Sequence, residues 1–81
     1  MRYYFDLRDG DEIAVDEEGL ELPGIERVQE EAALSLADMA RDAASEHRID
    51  GGVPRIAIEV RDDHGPLLQV RFTFKIDRGR H

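Results

Sequence analysis

The sequence predicts an α+β domain of ββαββ order: an antiparallel four-stranded sheet with one helix packed on one face. Three observations lead there. Four segments alternate apolar and polar residues with a period of two, one central segment repeats every three to four, and Gly, Asp and Pro gather at the joins. At 81 residues the chain makes one domain, residues 1–81, with 77–81 expected to fray as a tail.

The first segment is RYYFDLRDG, residues 2–10. Tyr3, Phe5 and Leu7 go to one face and Tyr4, Asp6 and Arg8 to the other, which is a half-buried strand. Asp9-Gly10 marks a hairpin turn. A two-residue loop at 9 and 10 would set Leu7 against Glu12 and mix the faces. A three-residue loop at 9–11 sets Leu7 opposite Ile13 and Phe5 opposite Val15, so Ile13 and Val15 are expected to point inward.

From Ile25 the period becomes helical. Ile25, Val28, Ala32, Leu36, Met39 and Ala43 form one apolar stripe, Pro23 suits the first turn, and Gly51-Gly52 stops the helix. RIAIEVR, residues 55–61, then alternates with Ile56, Ile58 and Val60 inward. DDHG turns, with Gly65 expected in the left-handed position of a three-residue loop. LLQVRFTFKI, residues 67–76, alternates through Leu68, Val70, Phe72, Phe74 and Ile76.

The net charge of -8 argues against a nucleic-acid binder as a whole, yet it is unevenly spread. Residues 1–31 hold eleven acids and three bases, which is the entire excess, and the rest of the chain is neutral. Much of that acid lies in DEEGLELPGIERVQEEA, residues 16–32. A calcium loop needs oxygen ligands at its first, third and fifth places and Gly at the sixth. Starting at Asp9 puts Ile13 fifth and Ala14 sixth, and starting at Asp16 puts Leu20 fifth, so neither register works. Asp16 to Gly19 instead has the composition of a tight turn with Gly19 at positive φ, and Glu26 sits where a helix N-terminus favours an acid. No metal and no cofactor are expected.

The chain has no Cys, so it offers neither disulfide nor thiol nucleophile. His47, His64 and His81 form no ligand pair, and Ser35 and Ser45 fall on the helix without a nucleophile elbow. No catalytic residue is expected and the domain is read as not an enzyme. No leader and no long apolar run is present, so the expected location is the cytoplasm, with no membrane contact.

Two surfaces are candidate interaction sites. The sheet face away from the helix should carry Arg2, Tyr4, Arg8, Arg55, Arg61, Arg71 and Lys75, with Asp6, Glu12, Glu59, Ala14, Ala57, Leu67, Gln69 and Thr73 beside them. That is six bases against three acids, with cross-strand pairing such as Arg71 with Glu59 expected. Tyr4 is its one interleaved aromatic, too few for a base-stacking platform. The helix outer face carries Leu34, Ala37 and Arg41, a contact with another helix by this reading.

The run Arg2-Tyr3-Tyr4-Phe5-x-Leu7-Arg8-Asp9-Gly10, then Asp16-Glu17-Glu18-Gly19-x-Glu21-Leu22-Pro23, an Ala-rich helix and a β-hairpin, resembles a family of small uncharacterised bacterial proteins common in alphaproteobacteria. Members of that family often have His where this chain has Asp6. The resemblance implies the fold and a bacterial origin and no activity. Residues 16–37, with Asp-x-x-Gly, Leu-Pro-Gly and an acidic helix, are more distantly similar to HicB-type antitoxins, which bind a toxin.

The function expected is a non-catalytic protein–protein interaction module that self-associates as a homodimer. The alternative is an antitoxin-like or regulatory partner of another protein. Nucleic-acid binding by the basic sheet face is the third and least favoured reading.

Overall fold

The computed structural model describes residues 1–45, 55–73 and 79. Among these residues six elements follow one another: β1 (Arg2–Asp9), β2 (Glu12–Ala14), β3 (Leu20–Glu21), α1 (Ile25–Ser45), β4 (Arg55–Asp62) and β5 (Gly65–Thr73). The sheet is antiparallel and open, in the order β2-β1-β4-β5, with β3 pairing the start of β1. The sheet therefore has five strands rather than the expected four. The extra one is two residues long, too short to show a period.

β1 and β4 form the centre. Phe5 faces Val60 and Leu7 faces Ile58 across one ladder, while Val60 faces Leu68 and Ile58 faces Val70 across the next. The alternation in the sequence thus assigns the faces of these three strands correctly. Tyr3, Leu22, Val28, Ala32, Ile58 and Val60 form the buried core, and Phe5, Leu7, Leu36, Met39, Leu68 and Val70 pack on it. Each large apolar side chain fully buried there contributes about 1.5–3 kcal/mol.

Helix α1 lies over β4 and β5. Its stripe is buried at Val28, Ala32 and Ala43 but not at Ile25, which stands exposed at the helix's first residue. Pro23 also stays outside the helix: the Val28 amide donates to the Gly24 carbonyl at 3.1 Å, so Gly24 caps it. Leu22, just upstream, is instead a core residue. Its amide donates to the Met1 carbonyl at 3.0 Å, prolonging the β3 ladder toward the helix. Glu26 lies in the first helical turn as expected. The Gly51-Gly52 stop, Phe74, Ile76 and the tail lie outside the described residues.

The β1–β2 hairpin departs from the expectation. Asp9 pairs with Glu12, Arg8 with Ile13 and Leu7 with Ala14, so the loop is Gly10-Asp11 alone. Gly10 has φ 65, a conformation suited to the first place of such a short loop. Ile13 therefore shares a face with Arg8 rather than Leu7, and Ala14 and Glu12 change faces with it. Ile13 is 47% exposed and Val15 59% exposed. All three residues of β2 are exposed, so no core rewards the inward register and the turn decides instead. The second hairpin is also tighter than expected. Asp62 pairs with Gly65, and the Asp62 Oδ1 accepts the His64 amide at 2.8 Å, leaving Asp63 and His64 as the loop. A bulge opposite Val60 and Arg61 then takes up Leu67.

Candidate functional site

One face of the sheet carries the helix, and among the described residues the other is open. Strand parity sends Arg2, Tyr4, Asp6 and Arg8 of β1, Arg55, Ala57, Glu59 and Arg61 of β4, and Gln69, Arg71 and Thr73 of β5 to the open face. Six of the seven sheet residues proposed as an interaction surface thus share this face, though they are spread from one end of it to the other. The seventh, Lys75, lies outside the described residues. Leu34, Ala37 and Arg41 are exposed on the helix, with Leu34 at 58%.

The two ends of the open face differ. At one end a hydrogen-bonded knot ties β1, β4 and the passage after β2 together. The chain runs along the free edge of β1 as β2, leaves it at residues 15–19, and returns as β3. Asp16 fills the gap. Its Oδ2 accepts the Phe5 amide at 3.1 Å, and its Oδ1 accepts the amides of Glu18 and Gly19, each at 3.1 Å. Burial pushes the Asp16 carboxyl up, but the amides of Gly19, Phe5 and Glu18, aided by the Arg61 charge, prevail and hold it below its ordinary value. Gly19 turns here with φ 75, and a Cβ on it would lie 2.8 Å from Arg2 Cγ and 2.9 Å from Tyr4 Cε2. The turn reading of this acidic passage therefore has its geometry.

Asp6, only 8% exposed, completes the knot. Its Oδ1 accepts the Asp16 amide at 2.9 Å and its Oδ2 accepts Arg61 Nε at 2.9 Å. Arg61 also donates to the Asp16 carbonyl at 3.0 Å, and its guanidinium lies 4.6 Å from the centre of the Tyr4 ring. Tyr4 and Arg61 face each other across the ladder, which sets up this stacking. Sequence reasoning placed Asp6 among solvent-facing residues and missed the role of its burial. The available signal was an Asp and an Arg at outward positions of neighbouring strands, with Asp-x-x-Gly downstream.

In the middle, Glu59 Oε2 accepts Arg8 Nε at 3.0 Å and Gln69 Nε2 at 3.2 Å. Cross-strand ion pairing is present as expected, but the partner of Glu59 is Arg8 and not Arg71. Arg71 donates to Gln69 Oε1 at 3.1 Å instead. Gln69 directly faces Glu59 across the ladder and takes the position nearest it.

At the far end lies a cavity of about 300 Å³ lined by Arg8, Gly10, Arg55, Ala57, Arg71 and Thr73, with Ile56 and Phe72 beneath. Ala57 faces Arg8 on one side and Arg71 on the other and is only 4% exposed, although it lies on the open face. The stems of the two arginines cover it.

Residues 2–73 match the domain of unknown function DUF6894. The chain belongs to that family. The DUF6894 match takes in every strand of the described residues but stops short of the residues after Thr73. No curated protein matches the chain, and no solved structure does. Among the described residues no helix is long and apolar enough to cross a membrane.

Proposed function

We propose that this DUF6894 domain is a non-catalytic interaction module of the bacterial cytoplasm that self-associates through the free edge of β5. The observation that carries this reading is the edge itself. β5 is nine residues long and pairs with β4 on one side, while no described strand lies on its other side. Such an edge presents a row of unpaired amides and carbonyls to a second chain. Pro66 and the bulge at Leu67 protect its beginning, so pairing falls on residues 68–73.

Faces must match when two copies pair, which limits the register. A two-fold axis at Val70 sets Leu68 against Phe72 of the partner subunit on the helix side and Gln69 against Arg71 of the partner subunit on the open side. No like charges meet in that arrangement, and the contact is isologous. Gln69→Arg then sets like charges opposite each other while keeping Glu59 within reach of a donor. Sedimentation is expected to show a dimer at high micromolar concentration for the natural chain and a folded monomer for Gln69→Arg. A natural chain that stays monomeric at both low and high salt would sink the reading.

The same edge supports the alternative, a regulatory or antitoxin-like role in which another protein supplies the added strand. Co-purification of a different chain at unit stoichiometry, with the isolated domain monomeric, distinguishes it. The nucleic-acid reading has less support, since the outward ring of Tyr4 is already stacked against Arg61.

A further inference from the structure

We propose that the cavity framed by Arg8, Arg55 and Arg71 binds a phosphate monoester carrying a small apolar group. This does not rest on self-association. Arg8, Ala57 and Arg71 occupy one row across three adjacent strands, and Arg55 lies two residues from Ala57 along β4. Neighbouring strands are about 4.8 Å apart and alternate residues about 6.7 Å, so three guanidinium arms rise around one small residue. A longer side chain at position 57 would fill the space. Alanine keeps this row low, and the aliphatic stems of the arginines wall a cavity of about 300 Å³, the volume of a small organic ligand.

The polar groups are arranged for an anion. Arg8 is committed to Glu59 at 3.0 Å, and Arg71 donates to Gln69 at 3.1 Å. Arg55 makes no ion pair among the described residues. Three arginines against the single Glu59 leave two positive charges at the site. A phosphate monoester carries about −1.5 to −2 at neutral pH and offers three acceptor oxygens, while a monocarboxylate would neutralise half of that charge. Planar guanidinium donors suit phosphate oxygens in paired contacts, and the Thr73 hydroxyl on the same wall supplies a further donor. The excess of acid over the whole chain does not oppose this, because its nearest member on the open face, Glu59, is already paired.

The test is a titration of the full chain with phenyl phosphate, followed by backbone amide NMR at constant ionic strength. Saturable shifts confined to Gly10, Ala57, Thr73 and their neighbours are expected. Arg55→Gln and Arg71→Gln should each weaken binding by about tenfold, the loss of one charge-assisted contact. Arg27→Gln on the helix should leave it unchanged. Arg55 and Arg71 are both exposed, and the spectrum of each variant reports directly whether it is folded. Absence of saturation through tens of millimolar would overturn the proposal, as would an equal response to acetate or indifference to both cavity substitutions. Tighter binding of a short oligonucleotide without terminal phosphate would overturn it too, making the cavity part of a nucleic-acid surface.

Discussion

Asp16 stands in for a stretch of missing backbone. Where the edge chain leaves β1, the Phe5 amide would lose its partner, and the carboxylate supplies one while also closing its own turn. A depressed carboxyl pKa has a defined sign in stability. The folded form holds its proton less well than the unfolded form, whose pKa is about 3.9. The contribution is therefore present above that value and is lost as pH falls through the lower folded pKa. Asp16→Asn keeps an oxygen for Glu18 and Gly19 but turns a donor toward Phe5. It should cost about 1–3 kcal/mol at pH 7. Denaturant melts from pH 7 to pH 3 should show the gap between the two chains narrowing in acid, and a gap independent of pH would refute this account.

At the scale of elements, the helix decides which strands obey their pattern. β1, β4 and β5 sit in the helix-covered part of the sheet or beside it, and there alternation read from the sequence gives the right face for Phe5, Leu7, Ile58, Val60, Leu68 and Val70. β2 is exposed at all three residues, and its register follows the two-residue loop at Gly10. This difference is measurable. Ile13→Thr should change stability by less than about 0.5 kcal/mol, as an exposed position does. Ile58→Ala should cost about 2–5 kcal/mol, as a filled core position does. Urea unfolding of both variants checks it, and a large loss at Ile13 would favour the inward register after all. The same logic shows why the open face was only half legible. Parity alone identifies its cations. The cavity depends on the small size of Ala57 and on Glu59 choosing Arg8 over Arg71, and neither follows from periodicity. β3 and Leu22 belong to no repeating pattern, so nothing in the spacing announces them.

As a whole the molecule is elongated, 53 × 23 × 19 Å along its principal axes. Its radius of gyration is 14.6 Å, against about 12 Å for a compact chain of this length. One helix on one sheet leaves a single core layer, and its largest fully buried side chains are Ile56, Ile58, Val28 and Val60. A small core is where association adds most to stability. If β5 pairs with its counterpart, the melting temperature should rise with protein concentration in the natural chain and stay fixed in Gln69→Arg. Calorimetry across a hundredfold dilution series is the check. Charge is also divided at this scale. A chain of net charge -8 keeps a cationic end on its open face, so its response to salt should depend on which surface a partner meets.

The bond from Phe5 to Asp16 also has a consequence in time. A carbonyl accepts a hydrogen bond at any ordinary pH, whereas this carboxylate accepts one fully only while ionised. The Phe5 proton should therefore trade with deuterium on a schedule that quickens, relative to its β1 neighbours, once the solution is acidic enough to neutralise Asp16. A single backbone amide becomes a clock for one side chain's ionisation.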